Sequence, residues 1–486
     1  MLENLDARSF CDGVLECARS LGADYADIRI VDRNDEYIAL RTGKVEHLDN
    51  TSSSGFGVRV LVDGAWGFSS SPHLTIEDGR RVAREAVRIA KASLTLKRKD
   101  IKLAPVDPQE AKWESQFEID PFDVPLEEKI GLLRDADAAL RRNEKVKITD
   151  CSMTFWRQHH VFASTEGAFI EQTKTESGAG IAATAIEGAE VQRRSYPASF
   201  GGDYATAGYE FVKSLNLVDH AEEIARGAVE LLSAPPCPAG DHTLILEGSM
   251  LALQVHESCG HPIELDRVLG MESSYAGTSF LTPEKLGKFK YGSEHVNITA
   301  DATLTEGLGG FAFDDEGVPA QRTEIIKDGI FQGYLTSRET ASQLGWKSMG
   351  AMRADGWDRI PLIRMTNINL LPEDWSFDDL IADTPDGIYA TGIQSWSIDD
   401  KRLNFHFATE VAREIKDGSL GKLYKNPMYS GITPEFWGSC DAVCGKDEWH
   451  IWGVPNCGKG EPGQSAHVGH GVAPARFRKV RMEGAK

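Results

Sequence analysis

At 486 residues, with 41% hydrophobic and 26% charged residues, the chain has the composition of a globular protein of two or three domains. Its net charge of −21 argues against a nucleic-acid-binding surface, which needs a basic patch to displace counterions. No apolar run approaches the ~20 residues of a membrane span, and the first residues show no basic or apolar signal region, so a soluble, cytoplasmic protein is expected.

The eight cysteines are few and scattered, which reads as free thiols in a reducing compartment.

The first predicted element is an amphipathic helix over 6–21, with Phe10, Val14, Cys17 and Leu21 on one stripe. Strands are predicted at 25–32, 36–41 and 55–62. Asp63-Gly64 is a two-residue hairpin turn that returns through 65–68. A second helix is predicted at 75–92, with Thr75 as N-cap and Glu77 and Asp78 near its positive end. The polar stretch 97–122, with Pro105, Pro108 and Pro121, reads as a traversing loop. A third helix is predicted at 125–143, although Asp137 interrupts its apolar stripe. Strands follow at 146–158, 161–164, 168–175 and 177–186, with Thr165-Glu166-Gly167 as a turn, and a helical region at 209–232. These elements predict an α+β N-terminal domain over 1–234, helices packed on an antiparallel sheet, with room for two related helix-plus-hairpin units.

Residues 235–240 contain Pro235, Pro236 and Pro238 and read as an extended linker. The remainder, 241–486, is Gly-rich and strand-like, with strands expected at 297–300, 329–334, 388–392 and 404–415. It is predicted to be a mostly-β domain carrying one short motif helix and the chemistry.

That helix is predicted over 250–260, after a strand at 243–247 and with Ser249 as its N-cap. It carries His256-Glu257-Ser258-Cys259-Gly260-His261. In the common H-E-x-x-H motif the histidines stand at i and i+4 and share a zinc ion. Here they stand at i and i+5, about 140° apart on an ideal helix. A π-turn would restore the register. Alternatively, the helix stops before His261. Gly260 and Pro262 favour the second option, because the residue before proline avoids the α region. Glu257 occupies the position of a general base that takes a proton from a zinc-bound water.

Two histidines leave a zinc site one ligand short. The Gly- and Pro-punctuated segment 454–463 reads as a loop and offers Cys457; Cys259, Cys440 and Cys444 compete. Cys440 and Cys444 read more simply as two buried thiols. His467 and His470 read as an exposed pair, with metal binding or tuning as the alternative. Glu264 and Asp266 are the carboxylates nearest in sequence to orient the histidines.

Over nearly its whole length the chain resembles the TldD/PmbA family, on the TldD side. The resemblance rests on Tyr25-Ala26-Asp27-Ile28-Arg29, on Gly55-Phe56-Gly57-Val58-Arg59-Val60 and on His256-Glu257 through His261. Asp328-Gly329, Arg364-Met365-Thr366-Asn367, Gly387-Ile388-Tyr389-Ala390 and Cys457-Gly458-Lys459-Gly460 complete it. It implies His256, His261 and Cys457 as zinc ligands and Glu257 as the catalytic carboxylate. It implies a cytosolic zinc metallopeptidase acting on unfolded or small peptides. A homodimer, or a heterodimer with a PmbA-like subunit, is implied as well. The family's older label as a modulator of DNA gyrase suggests DNA association, against which the charge speaks. One departure is Gln394-Ser395-Trp396-Ser397, where the family carries a glycine run; Trp396 is expected to reshape a peptide groove there. Peptide binding is expected by strand addition to an edge of the β domain. The rival readings are a non-catalytic, zinc-stabilised subunit or adaptor, and a hydrolase with Cys259 or Cys457 as nucleophile.

Overall fold

The computed structural model describes residues 5–483. The N-terminal half is built on one eight-stranded sheet. Its centre is the strand Tyr25–Arg41, antiparallel to Lys44–Val62 on one side and Val146–Ser164 on the other. The strands predicted in fragments are continuous. Polar residues such as Arg33 and Asp35 erase the hydrophobic alternation, yet the ladder runs through them, pairing Arg33 with Gln158 and Asp35 with Trp156. The stretch predicted as a loop over 97–122 contains a strand, Glu110–Glu114, that adds in parallel to Phe169–Glu187. Its short alternation of half-buried and exposed residues marks an edge.

Helices Ala7–Ser20 and Ile76–Ser93 cover one end of this sheet. Asp6 and Thr75 cap them by accepting from Ser9 N and Asp78 N. Helices Leu126–Leu140 and Leu217–Ser233 cover the other end. Asp137, the residue that interrupts the apolar stripe, is buried; its carboxylate accepts from Gly43 N, Thr149 Oγ1 and Arg141 Nε. Burial of that charge is offset by three donors.

The segment 235–240 is extended but not free: Cys237 N donates to Lys425 O, and Lys425 N to Pro235 O. Beyond it, five strands close into a barrel. Asp386–Ile398, Gly240–Leu246, Ala475–Glu483, Met428–Ile432 and Asn404–Lys416 follow one another, and the last pairs back with the first. A second, six-stranded sheet ends in the hairpin Gln464–Val472 and His450–Lys459. The motif helix lies between barrel and sheet, touching both. The two halves of the chain are joined through buried ion pairs, Arg59 with Glu316 and Arg29 with Asp315, and Arg59 is also held by Asp27 of its own half. Among the described residues no helix is long and apolar enough to cross a membrane.

Candidate metal centre

The strand Gly240–Leu246 delivers the chain into helix Gly248–Val255. The cap is Glu247, not Ser249 as expected: its carboxylate accepts from Ser249 N at 2.8 Å and Ser249 Oγ at 2.6 Å. The i, i+5 spacing is resolved by the option the sequence disfavoured. Residues His256–Gly260 form a π-turn, and His261 N donates to His256 O. His261 keeps α geometry (φ −66°, ψ −44°) despite the proline after it. A π-turn adds one residue to the ring, so i and i+5 face the same way. Packing fixes this turn. Ser258 Oγ donates back to Gln254 O and accepts from Trp437 Nε1, and Tyr291 OH donates to Ser258 O.

Cys457 does not lie in a loop. It sits in the strand His450–Lys459, opposite Ala466, just after an irregularity that spans Val454 to Cys457. Pro455 removes a ladder donor there, and the resulting bulge re-aims the side chains that follow. Arg364 clamps the hairpin from behind, donating to Cys457 O and to Gln464 O.

These elements bring His256, His261 and Cys457 together, with their ligand atoms all within 4.8 Å of one another. Cys457 Sγ lies 3.5 Å from His256 Nε2 and 3.9 Å from His261 Nε2. In a tetrahedral zinc site with Zn–N of about 2.0 Å and Zn–S of about 2.3 Å, nitrogen and sulfur ligands stand about 3.5 Å apart. The donor set therefore fits such an ion in spacing and in chemistry. Burial alone would push the Cys457 thiol up, but His256, His261 and Arg364 outweigh it, and the group is held well below the ordinary thiol range. Burial would likewise lower His256, but the charge and hydrogen bond of Cys457 raise it. His261 moves the other way, depressed by burial and then by Arg402.

Each histidine is oriented from behind. His261 Nδ1 lies 3.0 Å from Glu264 Oε2. Glu264 is in turn held by Lys459, fully buried, whose Nζ lies 3.3 Å from Glu264 Oε1 and 2.7 Å from Asp266 Oδ1. His256 Nδ1 lies 2.8 Å from His470 Nε2. His470 is therefore not one of an exposed pair. It is fully buried, held neutral by burial and by its neighbour His256, with Nδ1 3.3 Å from Ile368 O. His467 lies apart, its Nδ1 2.6 Å from Glu176 Oε2.

Glu257 is buried, and its Oε2 accepts from Arg402 Nη1. Arg402 was not singled out in the sequence, being 145 residues away. Cys259, Cys440 and Cys444 take no part in the cluster. All three are buried; Cys259 and Cys444 are pushed up to about 12 by burial, so none is a ready nucleophile.

Family models agree with this architecture in three consecutive segments. Residues 26–90 match PmbA/TldA metallopeptidase domain 1, 119–232 the central domain and 239–484 the C-terminal domain. A metalloprotease of Methanocaldococcus jannaschii is 33% identical over 448 residues, covering 92% of this chain and 94% of that protein. A metalloprotease TldD homolog of Haemophilus influenzae is 27% identical, covering 95% and 93%. Among solved structures, TldE from Thermococcus kodakarensis superimposes with a TM-score of 0.74 at 16% identity, covering 98% of this chain and all of that one. The fold is the one these metallopeptidase family models describe, and it gathers a His, His and Cys cluster that could hold a metal ion. The chain belongs to the PmbA/TldD family.

Proposed function

We propose that the protein is a zinc-dependent peptidase that hydrolyses unfolded or small peptides. His256, His261 and Cys457 hold the ion, and Glu257 is the general base. The observation that carries this reading is the convergence of a thiolate and two imidazole Nε2 atoms at zinc-ligand spacing, with a buried carboxylate one residue from the first ligand. A zinc ion there supplies Lewis acidity, polarising a carbonyl and making water acidic near neutral pH. Glu257 takes the proton of the attacking water and hands it to the leaving amine. Glu264 and His470 fix the rings of His261 and His256, leaving both Nε2 atoms beside Cys457 Sγ, where they would hold the ion.

A closed structural site has no use for Glu257, which weighs against an adaptor role. The substrate backbone is read by strand addition. His450–Lys459 is the terminal strand of its sheet, and Asn456 and Gly458 on either side of Cys457 are exposed. Such recognition reads main chain more than side chains and suits broad specificity. A cytoplasmic dimer, with itself or with a PmbA-type partner, belongs to the same reading and is checked by native mass.

The test is zinc content and cleavage of an unstructured peptide by wild type and Glu257→Gln. The variant is expected to keep its zinc and lose activity by at least about a hundredfold. Full activity in Glu257→Gln overturns the mechanism.

A further inference from the structure

We infer that Arg402 is a catalytic residue: its guanidinium binds the oxygen of the scissile carbonyl as negative charge develops on it. The inference rests on the peptidase reading and adds the group that carries the developing charge.

Arg402 lies in the connection between strands Asp386–Ile398 and Asn404–Lys416. Its φ is +63°, a left-handed conformation that disfavours a non-glycine residue. The surroundings hold it there. Arg402 N donates to Asp399 O, and the Asp399 carboxylate accepts from Leu403 N and Asn404 Nδ2. Arg402 O accepts from Thr433 Oγ1. The residues before it are pinned to a neighbouring segment, with Thr278 N donating to Asp400 O and Phe280 N to Lys401 O. A backbone held by so many contacts presents the Arg402 side chain from a fixed point.

The guanidinium is only partly used. Nη1 meets Glu257 Oε2, while Nε is buried with no hydrogen-bond partner among the described residues. An unmade hydrogen bond from a buried donor is costly, so an idle N–H at this place points to an acceptor that arrives with the substrate. Through Glu257, which directly follows His256 in the chain, the guanidinium is held beside the His256, His261 and Cys457 cluster.

The pairing with Glu257 gives the step its electrostatic logic. Water oxygen bonds to the carbonyl carbon while the C=O π pair moves onto the carbonyl oxygen. The water proton goes to Glu257, which becomes neutral. Negative charge has then moved from Glu257 to the substrate oxygen, and Arg402 exchanges one partner for the other with its own charge unchanged. When the oxyanion collapses, the C–N bond breaks, Glu257 returns the proton to the leaving nitrogen, and the ion pair reforms.

The alternative is that Arg402 only positions Glu257. A phosphinic peptide separates the two roles, because it mimics the tetrahedral oxyanion and binds without any proton transfer. Its affinity is measured by calorimetry in wild type, Glu257→Gln, and Glu257→Gln combined with Arg402→Ala or Arg402→Lys, each at matched zinc content and melting temperature. Affinity is expected to fall about a hundredfold from Glu257→Gln to the double variant with Ala, and at least about tenfold with Lys, whose single ammonium lacks the guanidinium fork. Equal affinity in Glu257→Gln and both double variants overturns a direct contact. Failure of the wild type to bind the phosphinic peptide overturns the peptidase reading and this inference with it.

Discussion

His256 Nδ1 and His470 Nε2 are 2.8 Å apart, although 214 residues separate them. With His256 Nε2 on the side of Cys457 and kept for a metal, Nδ1 is the nitrogen that donates to His470, whose own Nδ1 faces Ile368 O. The contact fixes both tautomers in one chain. His470→Ala is expected to lower zinc affinity by about ten- to a hundredfold, the usual effect of removing such a partner. Competition with a metal-buffering chelator measures it. Unchanged affinity contradicts the orienting role.

On the other side, Lys459 faces Glu264, Asp266 and Glu272 in a buried cluster that also contains Arg267. Lys459→Met leaves three carboxylates against one cation. Removing one partner of a buried ion-pair network typically costs about 3–5 kcal/mol. Denaturant unfolding of the metal-free protein should show a loss of that order, and the loosened Glu264 should weaken zinc binding at the same time.

The π-turn depends on Ser258, whose hydroxyl joins Gln254 O to Trp437 Nε1. Ser258→Ala strands the indole N–H in the core, at a cost of about 1–3 kcal/mol. The unfolding midpoint should fall accordingly, and zinc dissociation should quicken because His256 and His261 share a face only through that turn.

Glu272 is pushed up to about 7, first by burial and then by Glu264, with Lys459 and Arg267 opposing. Its pKa is higher in the folded state than in the unfolded state. The stability it contributes is complete below about pH 4.5 and is lost as pH rises through 7. Glu272→Gln should remove a slope of at most about 1.4 kcal/mol per pH unit from this window. Melting curves of both proteins between pH 4.5 and 7.5 read the difference. Parallel pH profiles contradict it.

Elements with local signals were legible in the sequence: the first amphipathic helix, the helix capped by Thr75, the Asp63-Gly64 turn, and the histidine motif itself. Features decided by distant contacts were not. Whether His261 followed a π-turn or a broken helix depended on Trp437 and Tyr291, which are far from it in sequence. His470 looked like an exposed loop histidine because nothing local shows that its strand runs beside Asn367 in the sheet core. Cys457 looked like a loop residue because glycines and a proline also mark a bulged edge strand. Glu264 had a local signal, standing three residues after His261 and within reach on one turn, and of the two carboxylates expected to orient the histidines it is the one that meets a ring. Arg402 had none.

The central claim is a zinc ion held by two histidines and Cys457. Zinc K-edge absorption spectroscopy of the purified wild type and of Cys457→Ser tests it most directly. The account predicts one sulfur at about 2.3 Å with nitrogen or oxygen ligands at about 2.0 Å in the wild type, and loss of the sulfur shell in the variant. A wild-type spectrum without sulfur, or a sulfur shell that survives in Cys457→Ser, contradicts it.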